Sequence, residues 1–207
     1  MEFTVRRIGP ESIAEIDDWV QHKFLPSMPL MCAFGVDVYG KTASPHGPTP
    51  GSTVVYLQAV DSQGTVLGIA ILKDSVKFGS NDNNSPEWNK IVDFMNFAEE
   101  DAKLHDLPGR TIELLVLSVA EESRGRGVAR RLVLEAEDVA KEAKFDSIVV
   151  CCASEFAAKA ARSAGWREHY RLAYKDYPKR SGTGVQLVPT PPHNHFYIYV
   201  KDFNHKR

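Results

Sequence analysis

One segment limits the possible folds of this chain more than any other. It begins with TIELLVLSV (111–119), a run so rich in apolar residues that it predicts an interior strand. A loop with two glycines, SRGRG (123–127), leads into a predicted amphipathic helix. The apolar stripe of that helix consists of Val128, Leu132, Ala136, Val139 and Ala143. A strand that passes through a loop into a helix is typical of folds that contain parallel strands.

The rest of the chain predicts a mixed sheet around this unit. SIVVCC (147–152) is a second interior strand, expected to pair in parallel with the first. Strand-like runs at 53–60 and 65–72 flank DSQG and predict a hairpin. The other predicted elements are an edge strand (2–8), helical stretches (10–20, 87–106 and 154–164), a loop (40–52) and late strands (166–174 and 196–203). We therefore expect an α/β chain with one mixed sheet of six to seven strands flanked by helices, and residues 1–207 as a single domain.

Composition excludes several classes of protein. Lys and Arg number 25 against 27 Asp and Glu, a net charge of −2, which argues against a dedicated nucleic-acid binder. No run of about 18 apolar residues is present, so no membrane span is expected. The three cysteines include the adjacent Cys151 and Cys152, which is poor material for a disulfide framework. The N-terminal MEFTVRR has no apolar core of a secretory signal. We expect a cytoplasmic protein with neither nucleic-acid nor membrane partners.

The glycine loop predicts a binding site for an anion. The first N–H groups of a helix have no helical partner, and the helix dipole favours negative charge near them. Glycines allow a ligand to approach the backbone closely. Neither the dinucleotide pattern GxGxxG nor the P-loop GxxxxGK[ST] is present, since Val128 and Ala129 follow Gly127. The cationic residues around the loop are Arg124, Arg126, Arg130 and Arg131.

The spacing Arg124-x-x-Gly127-x-Ala129 is similar to the acetyl-CoA-binding signature R/Q-x-x-G-x-G/A of the GNAT superfamily of N-acetyltransferases. The resemblance implies the GNAT fold, in which the strand before the signature splays from the next parallel strand, and acetyl-CoA as cosubstrate. It implies that the pantetheine arm lies along Leu117, Ser118 and Val119. The pyrophosphate is then expected on Gly125, Arg126, Gly127, Val128 and Ala129, beside Arg124.

The resemblance adds two residues beyond the second parallel strand. Ser154 stands where many members of the superfamily have an Asn that contacts pantetheine. Lys159 follows in the next helix and either meets the 3′-phosphate of the cosubstrate or lies in solvent.

The chain also resembles the insect-type arylalkylamine (dopamine) N-acetyltransferases. The segments that carry this resemblance are LSV before the loop, CCASEFAAKAARSAGW (151–166), AYKDY (173–177), PTPPH (189–193), YIYVKDF (197–203) and PSMPLMCAFG (26–35). It implies direct transfer of an acetyl group to a small amine within a ternary complex. Met28 is a departure, because that group has its catalytic glutamate there. Ala153 and Ala157 also replace serines of that group.

An alkylamine has a pKa near that of lysine, about 10.4, so a base must remove its proton at neutral pH. Glu113 is the first candidate, in a register similar to the glutamate base of the histone-acetylating branch. Strand alternation predicts that its side chain shares a face with Leu115, Leu117 and Val119. The alternative for Glu113 is a solvated strand start beside Arg110.

His193, just before the last strand, is the second candidate base. Its alternative role is that of a loop histidine whose hydrogen bond holds the turn. His195 is nearby, but a third ligand does not accompany the pair, so we expect no metal.

The sequence is compatible with three functions. The first is an acetyl-CoA-dependent N-acetyltransferase of a small arylalkylamine-like acceptor. The second is the same chemistry on another acceptor, such as a protein lysine, a polyamine or an amino sugar. The third is a protein that binds acetyl-CoA without turnover, an alternative left open by Met28.

Overall fold

The structure, a computed structural model, describes residues 2–36, 52–74 and 85–203. Its sheet has seven strands in the order β1-β2-β3-β4-β5-β7-β6, and β4–β5 is the parallel pair among otherwise antiparallel neighbours. The predicted mixed sheet is thus confirmed, whereas the loop expected at 40–52 falls almost wholly outside the described ranges. The strands are β1 (Phe3–Ile8), β2 (Val54–Asp61), β3 (Val66–Asp74), β4 (Thr111–Val119), β5 (Ser147–Cys152), β6 (Arg167–Ala173) and β7 (His195–Asp202).

Helices cover both faces of the sheet and enclose two hydrophobic layers. One layer packs the sheet against α1, α2, α3 and α6, and the other packs it against α4 and α5. A π-helical turn (Val20–Phe24) and a 3₁₀ turn (Leu25–Ser27) join α1 to α2. The helices are α1 (Ile13–Trp19), α2 (Pro29–Phe34), α3 (Pro86–Asp101), α4 (Val128–Glu142), α5 (Glu155–Ser163) and α6 (Tyr177–Ser181). In the part of the chain that the structure describes, no helix has the length and apolar character of a membrane span.

The parallel pair separates after three residues. Thr111 lies opposite Ser147, and the last paired residues are Glu113 and Val149. Beyond that point β5 continues its pairing with β7 as far as Cys152, while β4 continues along β3. The two strands therefore diverge toward their carboxyl ends and leave a wedge-shaped opening in the sheet.

A bulge in β4 changes which layer its side chains enter. Ile71 pairs with Val116 and Leu72 with Leu114, so Leu115 is left without a partner on β3. An extra residue on one strand shifts the alternation of side chains by one position.

Because of the bulge, the side chains of β4 are distributed over the two faces of the sheet differently from the prediction. Leu115 packs in the layer of α1, α2 and α3. Leu117 and Val119 pack instead in the layer of α4 and α5. Glu113 interacts with Glu99 of α3 and thus belongs to the first layer. The prediction that all four side chains share one face was wrong, because the alternation does not continue through the bulge.

Candidate active site

A cavity of about 740 Å³ fills the opening between β4 and β5 and continues between the helices on both faces. One end lies at the glycine loop and the first turn of α4. The other end lies among the turns that follow α1, the start of α2, and α3. All the cofactor residues predicted from the sequence line this cavity except Arg126, and both candidate bases, Glu113 and His193, line it as well.

The glycine loop needs its glycines for conformational reasons. Gly125 has φ +75 and Gly127 has φ +81, and L-residues rarely adopt such values. A Cβ atom on either residue would meet nothing within 4 Å, because both positions face open space. Gly127 is the N-cap of α4 and supplies no side chain to bond the first helical N–H groups. These N–H groups are therefore directed at the cavity, as expected of an anion site.

The arginines near the loop have different surroundings. Arg124 is about half exposed, and its guanidinium lies 5.8 Å from the centre of the Phe156 ring. Arg130 also lines the cavity, and its Nε donates to the carbonyl oxygen of Ser163 at 3.1 Å. Arg131 points elsewhere and pairs with Glu135 at 3.4 Å. The cationic groups at the cavity are thus Arg124 and Arg130, together with Lys159 of α5.

Ser118 joins the two ends of the cavity. Its hydroxyl oxygen accepts a hydrogen bond from Nε1 of Trp19 at 3.0 Å, and its side chain is buried. The bond connects α1 to the diverging part of β4. Nothing in the sequence indicates this pairing, since 99 residues separate its partners.

Ser154 has a structural task. It is the N-cap of α5, and its hydroxyl oxygen accepts the backbone N–H of Ala157 at 3.1 Å. The hydroxyl hydrogen is still able to donate toward the cavity. Cofactor contacts by Ser154 and Lys159 stay predictions.

The far end of the cavity is an apolar chamber. Met28 lines it without any charge. The remaining residues of this chamber are mostly aliphatic or aromatic: Val20, Phe24, Leu25, Pro29, Trp88, Ile91, Val92 and Met95. The two ends meet at the point where β4 and β5 separate.

Glu113 supplies a carboxyl group at that meeting point. It pairs with Val149 of β5 and with Lys73 of β3, so it does not lie at a frayed strand end, and its side chain is partly exposed. Burial raises the pKa of Glu113 to about 8, the nearby charge of Glu99 adds to this increase, and a hydrogen bond with Cys151 opposes it. A carboxyl group with a pKa near 8 is a much stronger base than an ordinary glutamate.

Two neighbours of Glu113 were not found from the sequence. Burial raises the pKa of Glu99 to about 7. Burial, together with the charge of Glu113, holds the pKa of the Cys151 thiol well above its ordinary value, so this thiol keeps its proton. The periodicity of α3 could have indicated Glu99, because it comes four residues after Met95 on the buried side of the helix.

His193 lines the cavity near α5 and contributes to the start of that helix. Its Nδ1 accepts the backbone N–H of Glu155 at 3.1 Å, and its ring meets Phe156 edge-on at 5.2 Å. Burial lowers the pKa of His193, Glu155 opposes this change and Arg124 reinforces it. A neutral ring that accepts at Nδ1 carries its proton on Nε2. That nitrogen donates, so this arrangement favours Glu113 as the base.

Residues 54–165 match the family described as the Acetyltransferase (GNAT) family. The structure is also similar to solved structures of insect acetyltransferases. Arylalkylamine N-acetyltransferase 2 from Aedes aegypti has a TM-score of 0.78 at 18% identity, over 99% of this chain and 100% of that one. A putative arylalkylamine N-acetyltransferase 7 from the same mosquito has 0.79 at 15% identity, over 97% and 87%.

A third structure belongs to a protein with a different acceptor. The Drosophila melanogaster polyamine N-acetyltransferase, which forms N-acetylagmatine, has a TM-score of 0.71 at 17% identity, over 98% of this chain and 100% of that one. At such identities the likeness extends to the fold alone.

Proposed function

This chain belongs to the acetyltransferase (GNAT) family, and from that premise we propose that it transfers an acetyl group from acetyl-CoA to a small primary amine with an apolar body. The transfer is direct, within a ternary complex. The observation that carries the proposal is the continuous cavity, which connects a glycine loop at a helix N-terminus to an apolar chamber with the carboxyl group of Glu113 at the junction.

The cavity fits acetyl-CoA at its glycine-loop end. Side chains at Gly125 and Gly127 would fill space that is open, so the bare backbone there supports close contact with a pyrophosphate. The edge of β4 beyond Glu113 has no partner on β5, which supports pairing with the amide groups of pantetheine. When bound, the cosubstrate supplies an activated acetyl group as a thioester. Arg126, also expected from the sequence to hold it, is not part of the cavity lining. The residues that would hold the cosubstrate line the cavity: Leu117, Ser118, Val119, Arg124, Gly125, Gly127, Val128, Ala129, Ser154 and Lys159.

Glu113 is the base in this proposal. The acceptor enters mainly as an ammonium ion and must lose a proton before its nitrogen can attack the thioester carbon. As the new N–C bond forms, the C–S bond breaks, and one of the two protons left on the nitrogen goes to the sulfur, so that coenzyme A leaves as the thiol. The raised pKa of Glu113 suits it to this proton transfer, because its carboxylate binds a proton more strongly than the carboxylate of an exposed glutamate does.

The chamber favours an acceptor with an aryl or alkyl body. Among the described residues that line it, Glu113 is the sole carboxyl group, and a diamine or agmatine would present a second cation. Removing an unpaired cation from water is costly. The apolar lining therefore supports arylalkylamines over the acceptor named for the Drosophila relative.

The test is thiol release measured against an amine panel. We expect turnover with tyramine, dopamine or serotonin to exceed that with spermidine, agmatine or a lysine peptide. Glu113→Gln should lower kcat by about 10²–10⁴-fold while leaving the dissociation constant for acetyl-CoA unchanged. Glu122→Gln is the control, because Glu122 is exposed and lies outside the cavity lining.

Two results would contradict the proposal. Tight binding of acetyl-CoA without turnover on any amine would favour a non-catalytic binding protein. Faster turnover with spermidine or the lysine peptide than with the aryl amines would favour the other acceptor classes.

A further inference from the structure

An exposed aromatic ring lies at the glycine-loop end of the cavity and has no part in the transfer described above. Phe156 is in the first turn of α5 and lines the cavity, yet the residue is 54% exposed. Among the described residues, the other large hydrophobic residue with such exposure is Val188, which lies outside the cavity lining. Single exposed apolar residues are ordinary on a protein surface. Inside a ligand cavity, however, such a ring offers contact area to the ligand.

Two contacts hold this ring in place. The guanidinium of Arg124 lies 5.8 Å from the centre of the Phe156 ring, and the ring of His193 meets it edge-on at 5.2 Å. His193 is itself fixed to α5, because its Nδ1 accepts the backbone N–H of Glu155 at 3.1 Å. A phenyl ring and a guanidinium thus lie side by side at the cavity. Both are groups on which a planar nucleobase stacks.

The ring also lies at the right place along the cosubstrate. With the pantetheine arm along β4 and the pyrophosphate on Gly125 and Gly127, the 3′-phosphoadenosine part of acetyl-CoA must lie beyond the loop. There the cavity continues along one face of α5, where Phe156, Lys159 and Ser163 follow one another at spacings of three and four residues. Neighbours at this spacing are about 5–6 Å apart at Cβ. An aromatic ring is therefore followed by a cation, as the adenine and the 3′-phosphate on the same ribose require.

We propose that the adenine base of acetyl-CoA stacks on the ring of Phe156 beside Arg124, with the 3′-phosphate directed toward Lys159. The inference rests on the proposed function, because this subsite has a ligand only if acetyl-CoA is the cosubstrate. Phe156 is a binding residue and takes no part in the chemistry, since the base is at the opposite end of the cosubstrate from the thioester. The stacking contributes equally to the ground state and the transition state, so it lowers KM for acetyl-CoA and leaves kcat unchanged.

Other aromatic and cationic side chains are less suited to this subsite. Phe24 and Trp88 also line the cavity, but they belong to the apolar chamber at its far end. On α5, Arg162 pairs with Glu155 at 2.9 Å. Within residues 2–36, 52–74 and 85–203, by contrast, Lys159 makes no ion pair and is exposed, so its charge is available to a phosphate.

The test measures the affinity of Phe156 variants for two ligands by calorimetric titration. One ligand is acetyl-CoA, and the other is acetyl-4′-phosphopantetheine, which keeps the thioester and the pantetheine arm but lacks the adenosine part. We expect Phe156→Ala to weaken acetyl-CoA binding at least about fivefold, as for loss of a ring beneath a stacked base. Its affinity for acetyl-4′-phosphopantetheine should equal that of the wild type, and so should its kcat with a saturating amine.

Two further variants and a control define the interaction. Phe156→Tyr keeps a flat ring and should bind both ligands as the wild type does. Phe156→Leu keeps an apolar side chain without a ring and should lose affinity for acetyl-CoA alone. Val188→Ala is the matched control, because it removes the other exposed apolar side chain at a site away from the cavity. It should change neither affinity.

The outcomes separate this inference from the proposed function. If the wild type does not bind acetyl-CoA, the proposed function is wrong and the inference fails with it. If the wild type binds and turns over acetyl-CoA while Phe156→Ala or Phe156→Leu binds it equally tightly, the stacking is wrong and the function stands. Equal weakening of both ligands would place the pantetheine arm, and not the adenine, on Phe156 and would also overturn the inference.

Discussion

At the scale of single residues, the pKa of Glu113 determines how activity depends on pH. The carboxyl group acts as a base only when ionised, and its pKa is raised to about 8. We therefore expect kcat/KM to rise with pH and to level off above about 8. The measurement is a pH–rate profile with saturating acetyl-CoA. A limb near the ordinary glutamate value of 4.5 would show that Glu113 is not the base.

His193 gives a second prediction at this scale. Its Nδ1 caps the first turn of α5, and the amide oxygen of an asparagine can accept the same bond. We expect His193→Ala to destabilise the protein by about 1 kcal/mol, as for loss of a helix cap, and His193→Asn to retain most of the stability. Denaturant unfolding of both variants tests this. If either variant removes the limb in the pH profile, His193 and not Glu113 is the base.

Residue roles were the part of the site that sequence could predict least. Glu113 was a candidate because its register on the strand resembles that of the glutamate base in the histone-acetylating branch of the superfamily. The charge of Glu99 on α3 acts on Glu113, and the proximity of the two residues depends on how that helix packs against the sheet. The same holds for the bond between Trp19 and Ser118.

At the scale of elements, the loop before α4 can be tested with a matched pair of glycines. Gly127 and Gly165 both have φ +81, and in both cases an added Cβ would meet nothing within 4 Å. Alanine at either position should cost about 1–2 kcal/mol of stability, because L-residues are strained there. Only Gly127→Ala should also weaken acetyl-CoA binding, since Gly165 is not part of the cavity lining. Calorimetric titration distinguishes the two, and equal affinities would place the cosubstrate elsewhere.

The elements themselves were largely predictable. The strands expected at 111–119 and 147–152 have those bounds in the structure, because continuous apolar runs between turn signals define interior strands well. The bulge at Leu115 was not predictable, because it depends on the pairing with β3 and not on the residues of β4 alone. One unpaired residue was enough to make the predicted face of Leu117 and Val119 wrong.

At the scale of the whole molecule, the contribution of Glu113 to stability should decrease as pH rises. The folded state binds the Glu113 proton more tightly than the unfolded chain does, since the pKa rises from 4.5 to about 8. The resulting loss begins near the lower value and is complete above the higher one. The glutamine of Glu113→Gln is not ionisable at this position, so the melting temperature of the variant should rise relative to that of the wild type between pH 5 and 9. If the melting temperatures of the variant and the wild type differ by the same amount at every pH, the raised pKa assigned to Glu113 is wrong.

The extent of the domain stays a prediction at this scale. We expected residues 1–207 to form a single acetyltransferase domain, and a sheet that runs from Phe3 to Asp202 supports that expectation. The acceptor depends on the depth and lining of the chamber. The depth and lining of the chamber are set by how the turns after α1, the start of α2, α3 and the sheet pack together, and no local pattern in the sequence predicts that packing.

The bulge in β4 has a consequence for how such an enzyme can diversify. Before the bulge, Ile112 and Leu114 pack in the layer of α4 and α5, whereas after it the side chains of Leu117 and Val119 do so, and Val116 packs in the layer of α1, α2 and α3. Substitutions in the layer of α1, α2 and α3 can therefore change which amine binds, while the side chains in the layer of α4 and α5, beside the acetyl-CoA site, stay the same. Deleting a single residue from this strand would exchange the two sets of side chains, so variation here is confined to replacement and excludes changes of length.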